Sequence, residues 1–386
     1  MKNIIFFEAE ERENLLPLTF TKPVSELRMG GLTFKERWQK ILSCQVSDTT
    51  QDYLSGKFPI QNQPNSIFIN PAFFPNQEIL FAIENIKENE CLIFENHLIA
   101  STGELNTFQN ISTKKQIILQ NPPIHIQFPW DMFSHNFTAL EFDFNLITKN
   151  KISEEIPESV TVIGEKNKIF IEQGATLNYC SLNTKNGSIY IGKNAEIMEG
   201  SHIRGNLFLG ENSKINMGSK IYSGTTIGPN CKIGGEVNNS IIMGYSNKGH
   251  EGFLGNSIIG EWCNLGADTN TSNMKNNYDE VKSWNYKQKK FIKTGLQFSG
   301  LIMGDHSKTA INTQFNTGTV CGVSANIFCE GFPPNIIKHF SWGGTLNSEK
   351  FKFEKAVEVA ERMMKRRDII LTNDDLKILS YIYEKL

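Results

Sequence analysis

IGKNAEIMEGSHIRGNLFLGENSKINMGSKIYSGTTIGPNCKIGG (191–235) returns to the same kind of residue every six positions. Ile191, Ile197, Ile203, Leu209, Ile215, Ile221, Ile227 and Ile233 fill eight slots out of eight, in a chain that is 39% hydrophobic. A period of six matches neither a 3.6-residue helix nor the two-residue alternation of a plain strand. It matches a solenoid in which each flat side buries one aliphatic residue and then turns a corner. Gly192, Gly210, Gly228 and Gly234 follow aliphatic slots and permit tight corners. Three sides give a coil of about 18 residues, which predicts that Ile191, Leu209 and Ile227 stack directly on one another.

The spacing continues outward. Ile163 and Ile169 share one frame, and Ile171 and Leu177 share another shifted by two. After an interruption Ile259 and Leu265 resume it, and Met303, Thr309, Phe315, Cys321 and Ile327 extend it with weaker residues. Before residue 150 the pattern is different: NIIFF (3–7), SIFIN (66–70) and ECLIF (90–94) read as short buried strands. GLTFKERWQKIL (31–42) and NQEILFAIENIK (76–87) carry apolar residues at helical spacing, so this half is predicted to be an α/β layer structure. QNPPIHIQFPW (120–130) is proline-broken and is predicted to be loop or edge strand. In the tail, Ala356, Ala360, Met363 and Met364 mark one helix face, and Thr372 with Asp375 reads as a cap opening a second helix. These helices are expected to cover the open end of the solenoid, with the basic run 365–367 as a solvated helix face. The expected organisation is an α/β domain over 1–150, a β-solenoid over 151–345 and C-terminal helices over 346–386.

Thirty-nine basic residues against 41 acidic ones leave no broad basic face for nucleic acid or an anionic membrane. No run approaches the roughly 18 apolar residues of a membrane span, and MKNIIFFEAEEREN turns acidic too early for a secretory signal. Seven scattered cysteines with no CxxC pair fit reduced thiols in a cytoplasmic protein. His202, His250 and His306 are too widely spaced to suggest a zinc site of the kind carried by β-helix carbonic anhydrases.

The lapse between Ile233 and Ile259 contains GYSNKGHEGFLGN (244–256). A solenoid interrupts its repeat where something other than packing is required. KGHEGFLGN (248–256), IGEWCNLGA (259–267) and NNYD (276–279) resemble the acetyltransferase half of the GlmU-like family, bifunctional sugar-phosphate nucleotidylyltransferase/acetyltransferases. The resemblance covers about 170 residues of hexapeptide region. It implies a left-handed parallel β-helix, against the usual right-handed crossover. It further implies that His250 is the general base that deprotonates a sugar amine, a task suited to an imidazole with its reference pKa of ~6.5. Asn277 and Tyr278 would position base and sugar, and Lys248 would lie near the substrate phosphate. Phe253 stands where the family has a tyrosine, and Asn238 or Asn239 where it has a basic residue. Asn312, Thr313 and Gln314 match a stretch close to acetyl-coenzyme A in that family. The insertion 280–299, with Trp284, Tyr286 and five lysines, reads equally as a lid, a contact to a neighbouring subunit or a surface loop.

The N-terminal half resembles sugar nucleotidylyltransferases in LLPLTFTKP (15–23), and the layout as a whole resembles a Bacteroidetes group of GlmU-like sugar nucleotidyltransferases. The resemblance implies a shortened nucleotidyltransferase-like, Rossmann-like domain, in which Lys22 and Arg28 would meet phosphate and Asp131 would hold Mg²⁺. The family's glycine-rich phosphate loop is missing: residues 8–14 are EAEEREN, and four glutamates oppose an anion electrostatically. The expected function is an acetyl- or acyl-CoA-dependent N-acyltransferase on an aminosugar phosphate or nucleotide sugar, active as a homotrimer. Its nucleotidylyltransferase half is divergent. The alternative is a non-enzymatic scaffold or sugar-nucleotide sensor derived from such an enzyme.

Overall fold

In the computed structural model, which describes residues 3–385, the solenoid is built as the six-residue period predicts. Ile191 pairs with Leu209 and Leu209 with Ile227 on the first wall. Ile197, Ile215 and Ile233 stack on the second, and Ile203, Ile221 and Val237 on the third. The first wall is a nine-stranded parallel sheet running from Ile169–Ile171 to Ile336–Ile337. All eight residues of the central repeat are buried in one continuous core. Ile163 departs from the expectation: it is 40% exposed, and its neighbour Val162 pairs with the inward Leu182 instead. A strand of period two turns every second residue outward, so a one-residue error in frame reverses the face.

The coil length changes where the sequence repeat lapses. Ile227 pairs with Ile242, three residues short of a full coil. The aliphatic slot above Ile233 is taken by Lys248.

The N-terminal half is a six-stranded sheet flanked by helices. In spatial order its strands are Val46–Thr49, Ile4–Phe7, Ile67–Ile69, His97–Thr102, Glu90–Phe94 and Lys115–Ile118. Ile4–Phe7 runs parallel to both neighbours, whereas His97–Thr102 is antiparallel to both of its own. The sheet is therefore mixed rather than wholly parallel. Helix Phe34–Leu42 opens with a capping box between Thr33 and Glu36, and Gln77–Asn85 is capped by Asn76.

The two halves share a hydrophobic core. Leu15, Leu18, Val24, Leu27, Met29 and Trp130 pack against Ile241, Met243, Ile258, Ile302 and Val320. These solenoid residues lie on the first wall, which is thus buried on both faces like a parallel sheet in a layered fold. The insertion after Glu280 forms an antiparallel hairpin, Lys282–Asn285 with Lys290–Lys293. Its Trp284, Tyr286 and Ile292 join the same shared core. Asn285 donates to Asn14 at 3.1 Å and Lys287 pairs with Glu10 at 2.7 Å. Within one chain the hairpin is a strut between the halves.

The C-terminal helices, Phe353–Lys365 and Asn373–Lys385, differ in position from the expectation. They fill the angle between the solenoid and the N-terminal half, with Ala356, Ile378, Leu379 and Ile382 packed on Phe20, Leu54, Val323 and Phe340. Tyr381 stacks on Tyr53 with ring centroids 4.0 Å apart. The last solenoid wall ends instead on a short antiparallel strand, Glu349–Lys350. The Thr372–Asp375 cap forms as predicted.

Candidate functional site

His250 lies on the corner between the second wall, strand Asn247–Lys248, and the third wall, strand Phe253–Gly255. It is exposed, and among the described residues its imidazole has no hydrogen-bond partner. The same corner recurs in the next two coils as Gly266–Thr269 and Ala310–Thr313. The Asp268 N–H donates to the Glu251 carbonyl, and the Asn312 N–H to that of Ala267. Glu251, Asp268 and Asn312 therefore follow one another along this corner from coil to coil, and His250 immediately precedes Glu251. Asn312 has the left-handed conformation (φ 56°) that the corner needs and is exposed. Thr313 is buried, its hydroxyl bonded to the Ala310 carbonyl. Gln314 is exposed on the third wall beside Asn270.

Lys248 takes a different place from that expected of a phosphate ligand. Its ammonium is tucked under the corner, donating to the carbonyls of Gly234 at 2.8 Å and His250 at 3.0 Å. Burial pushes its pKa down to about 8. It holds the His250 backbone from inside the coil. Phe253 is half-buried, with its N–H bonded to Asn270.

Asn277 and Tyr278 lie elsewhere. Strand Asn270–Thr271 continues the third wall, and the chain leaves that wall at its far end, entering the loop that carries the pair. Asn277 accepts from the Asp279 N–H in a local turn, and Tyr278 is 66% exposed with φ 60°. Within one chain, the loop that carries Tyr278 leaves the third wall beside Asn256, at the end opposite the His250 corner.

In the N-terminal half, Lys22 is buried and its ammonium meets Glu261 at 2.6 Å and Asp305 at 3.0 Å, both solenoid residues. Arg28 donates to the Gly31 carbonyl at 2.6 Å and pairs with Glu36 at 3.3 Å. Asp131 caps helix Pro129–Ser134, accepting from the N–H groups of Gln127 and Phe128. All three charges are thus engaged inside the protein. Three glutamates of EAEEREN also have partners, Glu10 at the surface. Glu8 accepts from Val24 N–H and Thr50, Glu10 meets Lys287, and Glu11 meets His125 at 2.6 Å.

A further cavity of about 330 Å³ opens between the second wall and the first C-terminal helix. Lys232, Lys308, Arg366 and Arg367 line it, together with Tyr245 and Trp262, whose rings stack 4.2 Å apart. Lys365 and Arg366 are exposed as expected, whereas Arg367 turns inward and reaches the Asn230 carbonyl at 3.4 Å. No sequence motif marks this cavity, because its residues come from five separated segments. All seven cysteines are free thiols, five of them buried. Among the described residues no helix is long and apolar enough to cross a membrane.

Residues 4–152 match the family described as Sugar nucleotidyl transferase, and residues 208–238 match Bacterial transferase hexapeptide (six repeats). The chain thus joins a domain of the first kind to a solenoid of the second. Among curated proteins, the Bifunctional sugar-1-phosphate nucleotidylyltransferase/acetyltransferase of Sulfurisphaera tokodaii is 29% identical over 307 residues. That alignment covers 77% of this chain and 68% of the relative. The Bifunctional protein GlmU of Methanocaldococcus jannaschii is 40% identical over 87 residues, 22% of this chain and 21% of that one. The Bifunctional protein GlmU of Methanococcus maripaludis is 28% identical over 281 residues, 70% of this chain and 57% of that one. Depending on the relative, the aligned part spans from about a fifth to about two thirds of its length.

Proposed function

We propose that the protein is a transferase of nucleotide-sugar metabolism whose solenoid carries out acyl-CoA-dependent N-acylation of an aminosugar phosphate or nucleotide sugar. The observation that carries this reading is the solvent-facing, unpartnered His250 imidazole on the same solenoid corner that carries Asn312 two coils on. A histidine free of internal hydrogen bonds is available to take a proton from an incoming ammonium group. The neutral amine then attacks the thioester carbonyl, the C–N bond forms, and coenzyme A leaves as the thiol. Exposed amides of the solenoid corner are the donors suited to the oxyanion. Lys248 acts in this scheme as a positioning residue that fixes the His250 corner.

The separation of His250 from Asn277 and Tyr278 within one chain favours a site assembled between subunits of a homotrimer. In that arrangement the Asn-Tyr loop of one copy faces the His250 corner of the next. Sedimentation at micromolar concentration tests it, and a monomer would exclude it. The N-terminal half is a divergent nucleotidylyltransferase. Its glycine-free segment 8–14, with Lys22, Arg28 and Asp131 all committed internally, favours binding over catalysis there. No pyrophosphate release from UTP or dTTP with sugar 1-phosphates is the expected result, and Mg²⁺-dependent release would overturn it.

The decisive assay incubates the protein with acetyl-CoA and glucosamine 1-phosphate or UDP-aminosugars and follows free thiol. His250→Ala is expected to lose about 10²–10⁴-fold in turnover with an unchanged melting temperature. Wild-type activity that survives the substitution would sink the mechanism. A scaffold or sugar-nucleotide sensor is the second reading, favoured by the internal neutralisation of the N-terminal cations. Binding of UDP-sugars without any thiol release would select it.

A further inference from the structure

Open α/β sheets bind ligands beyond the carboxyl ends of their parallel strands. At that edge of the N-terminal sheet, three residues distant in sequence converge. Glu11 follows strand Ile4–Phe7, His97 opens strand His97–Thr102, and His125 lies in the segment bridged to Phe73. One ligand atom from each lies within 4.8 Å of the others.

Three further observations point to a ligand. Glu11 is 1% exposed, yet its Oε2 is buried without a hydrogen-bond partner. An unpaired buried carboxylate oxygen is costly unless a cation meets it. His125 is held on both sides, by Gln127 at 3.0 Å from Nδ1 and by Phe73 stacked on its ring at 4.0 Å. Asn70 donates to Glu11 Oε1 at 3.2 Å. Amide and carbonyl partners that fix the ring and carboxylate of a ligand set are what metal sites place behind their first ligands.

We propose that Glu11, His97 and His125 form a binding site for one divalent transition-metal ion. Two imidazoles and one carboxylate suit zinc, cobalt or iron, whereas Mg²⁺ and Ca²⁺ prefer oxygen donors throughout. With three protein ligands the ion keeps an open position, and exposed Glu10, whose Oε1 lies 4.0 Å from His97 Nδ1, flanks it. Gln127 now presents its amide nitrogen to Nδ1; in the loaded site the amide turns over so that Oε1 accepts the Nδ1–H, which leaves His125 Nε2 free to coordinate. Nε2 and Glu11 Oε1 are now 2.6 Å apart, a hydrogen-bond distance. On a tetrahedral zinc, ligand atoms sit roughly 3.3 Å apart, so loading breaks that bond and opens the pair slightly.

The inference is independent of the acyl transfer proposed for the solenoid. Its test is calorimetric titration of chelator-treated full-length protein with Zn²⁺, paired with the visible spectrum of the Co²⁺ form. One saturable equivalent per chain is expected. The cobalt bands should lack thiolate charge transfer, which separates this site from the cysteines. His97→Ala alters a half-buried side chain and should melt like the wild type while losing saturable uptake. Gln127→Leu should weaken binding about tenfold or more. Uptake that persists in a His97→Ala/His125→Ala double variant, binding of Mg²⁺ equal to that of Zn²⁺, or no saturable Zn²⁺ uptake by the wild type would each overturn the proposal.

Discussion

Lys22, from the N-terminal half, ends 3.0 Å from the carboxylate of Asp305 on the solenoid, in surroundings closed to solvent. Thr21 donates to the same carboxylate at 2.6 Å, and the Glu261 N–H donates to its other oxygen at 2.7 Å. The lysine beside Pro23, in the stretch that resembles a nucleotide-binding motif, here joins two domains. Burial alone would lower its pKa, but the two carboxylates outweigh burial and raise it.

Removing one partner should leave an uncompensated buried charge. Lys22→Met or Asp305→Asn is expected to cost about 3–5 kcal/mol. The double variant should recover part of that loss. Urea unfolding followed by Trp fluorescence measures both, and additive losses would show that the two residues do not form a pair.

Lys248 occupies the slot above Ile233 that an aliphatic residue fills in other coils. Lys248→Met is therefore expected to be neutral or stabilising at pH 7. The folded protein holds this ammonium at about 8 chiefly through burial, below the ordinary lysine value of 10.5. The folded state therefore releases the proton first. Wild-type stability should rise relative to Lys248→Met as pH climbs from about 8 to 10.5, by up to about 3 kcal/mol. Melting temperatures of the two proteins across that range check the sign.

His306 and His339 are buried, and desolvation pushes both down to about 3 from the usual 6.5. His339 Nδ1 accepts from the Val323 N–H, and its ring meets Phe20 edge-on at 4.4 Å. Between pH 6.5 and 3 the unfolded chain binds these protons and the folded one does not, so stability falls with pH. The loss is about 1.4 kcal/mol per pH unit per histidine. In urea titrations from pH 7 to 4.5, His339→Gln should show a shallower slope than the wild type. Equal slopes would mean that the ring is protonated in the folded state.

Two isoleucines with the same apparent spacing should respond oppositely. Ile215, wholly buried between Ile197 and Ile233, should cost about 2–5 kcal/mol when cut to alanine. Ile163, largely outside the core, should cost within about 0.5 kcal/mol. Denaturant midpoints of the two variants distinguish an inward slot from an outward one.

The solenoid is legible in the primary structure alone, because a six-residue period is local information: each wall buries its own aliphatic residue, and the next coil repeats the choice. The stacking of Ile191, Leu209 and Ile227 follows from their spacing, and the break around His250 is visible as a lapse in that period. Strands Ile4–Phe7 and Glu90–Phe94 were legible for the same reason, as short apolar runs. Tertiary structure alone decided where charges go. Lys22, Arg28 and Asp131 read as ligand residues by motif, but an ion pair or cap depends on partners hundreds of residues away or around a turn, and spacing does not encode these. The Lys22 partners Glu261 and Asp305, the strut formed by residues 282–293, and the meeting of Glu11 with His97 and His125 all arise where segments distant in sequence are folded against one another. Local periodicity specifies each layer of this protein, and only the packing of one layer on the next assigns its polar side chains their partners.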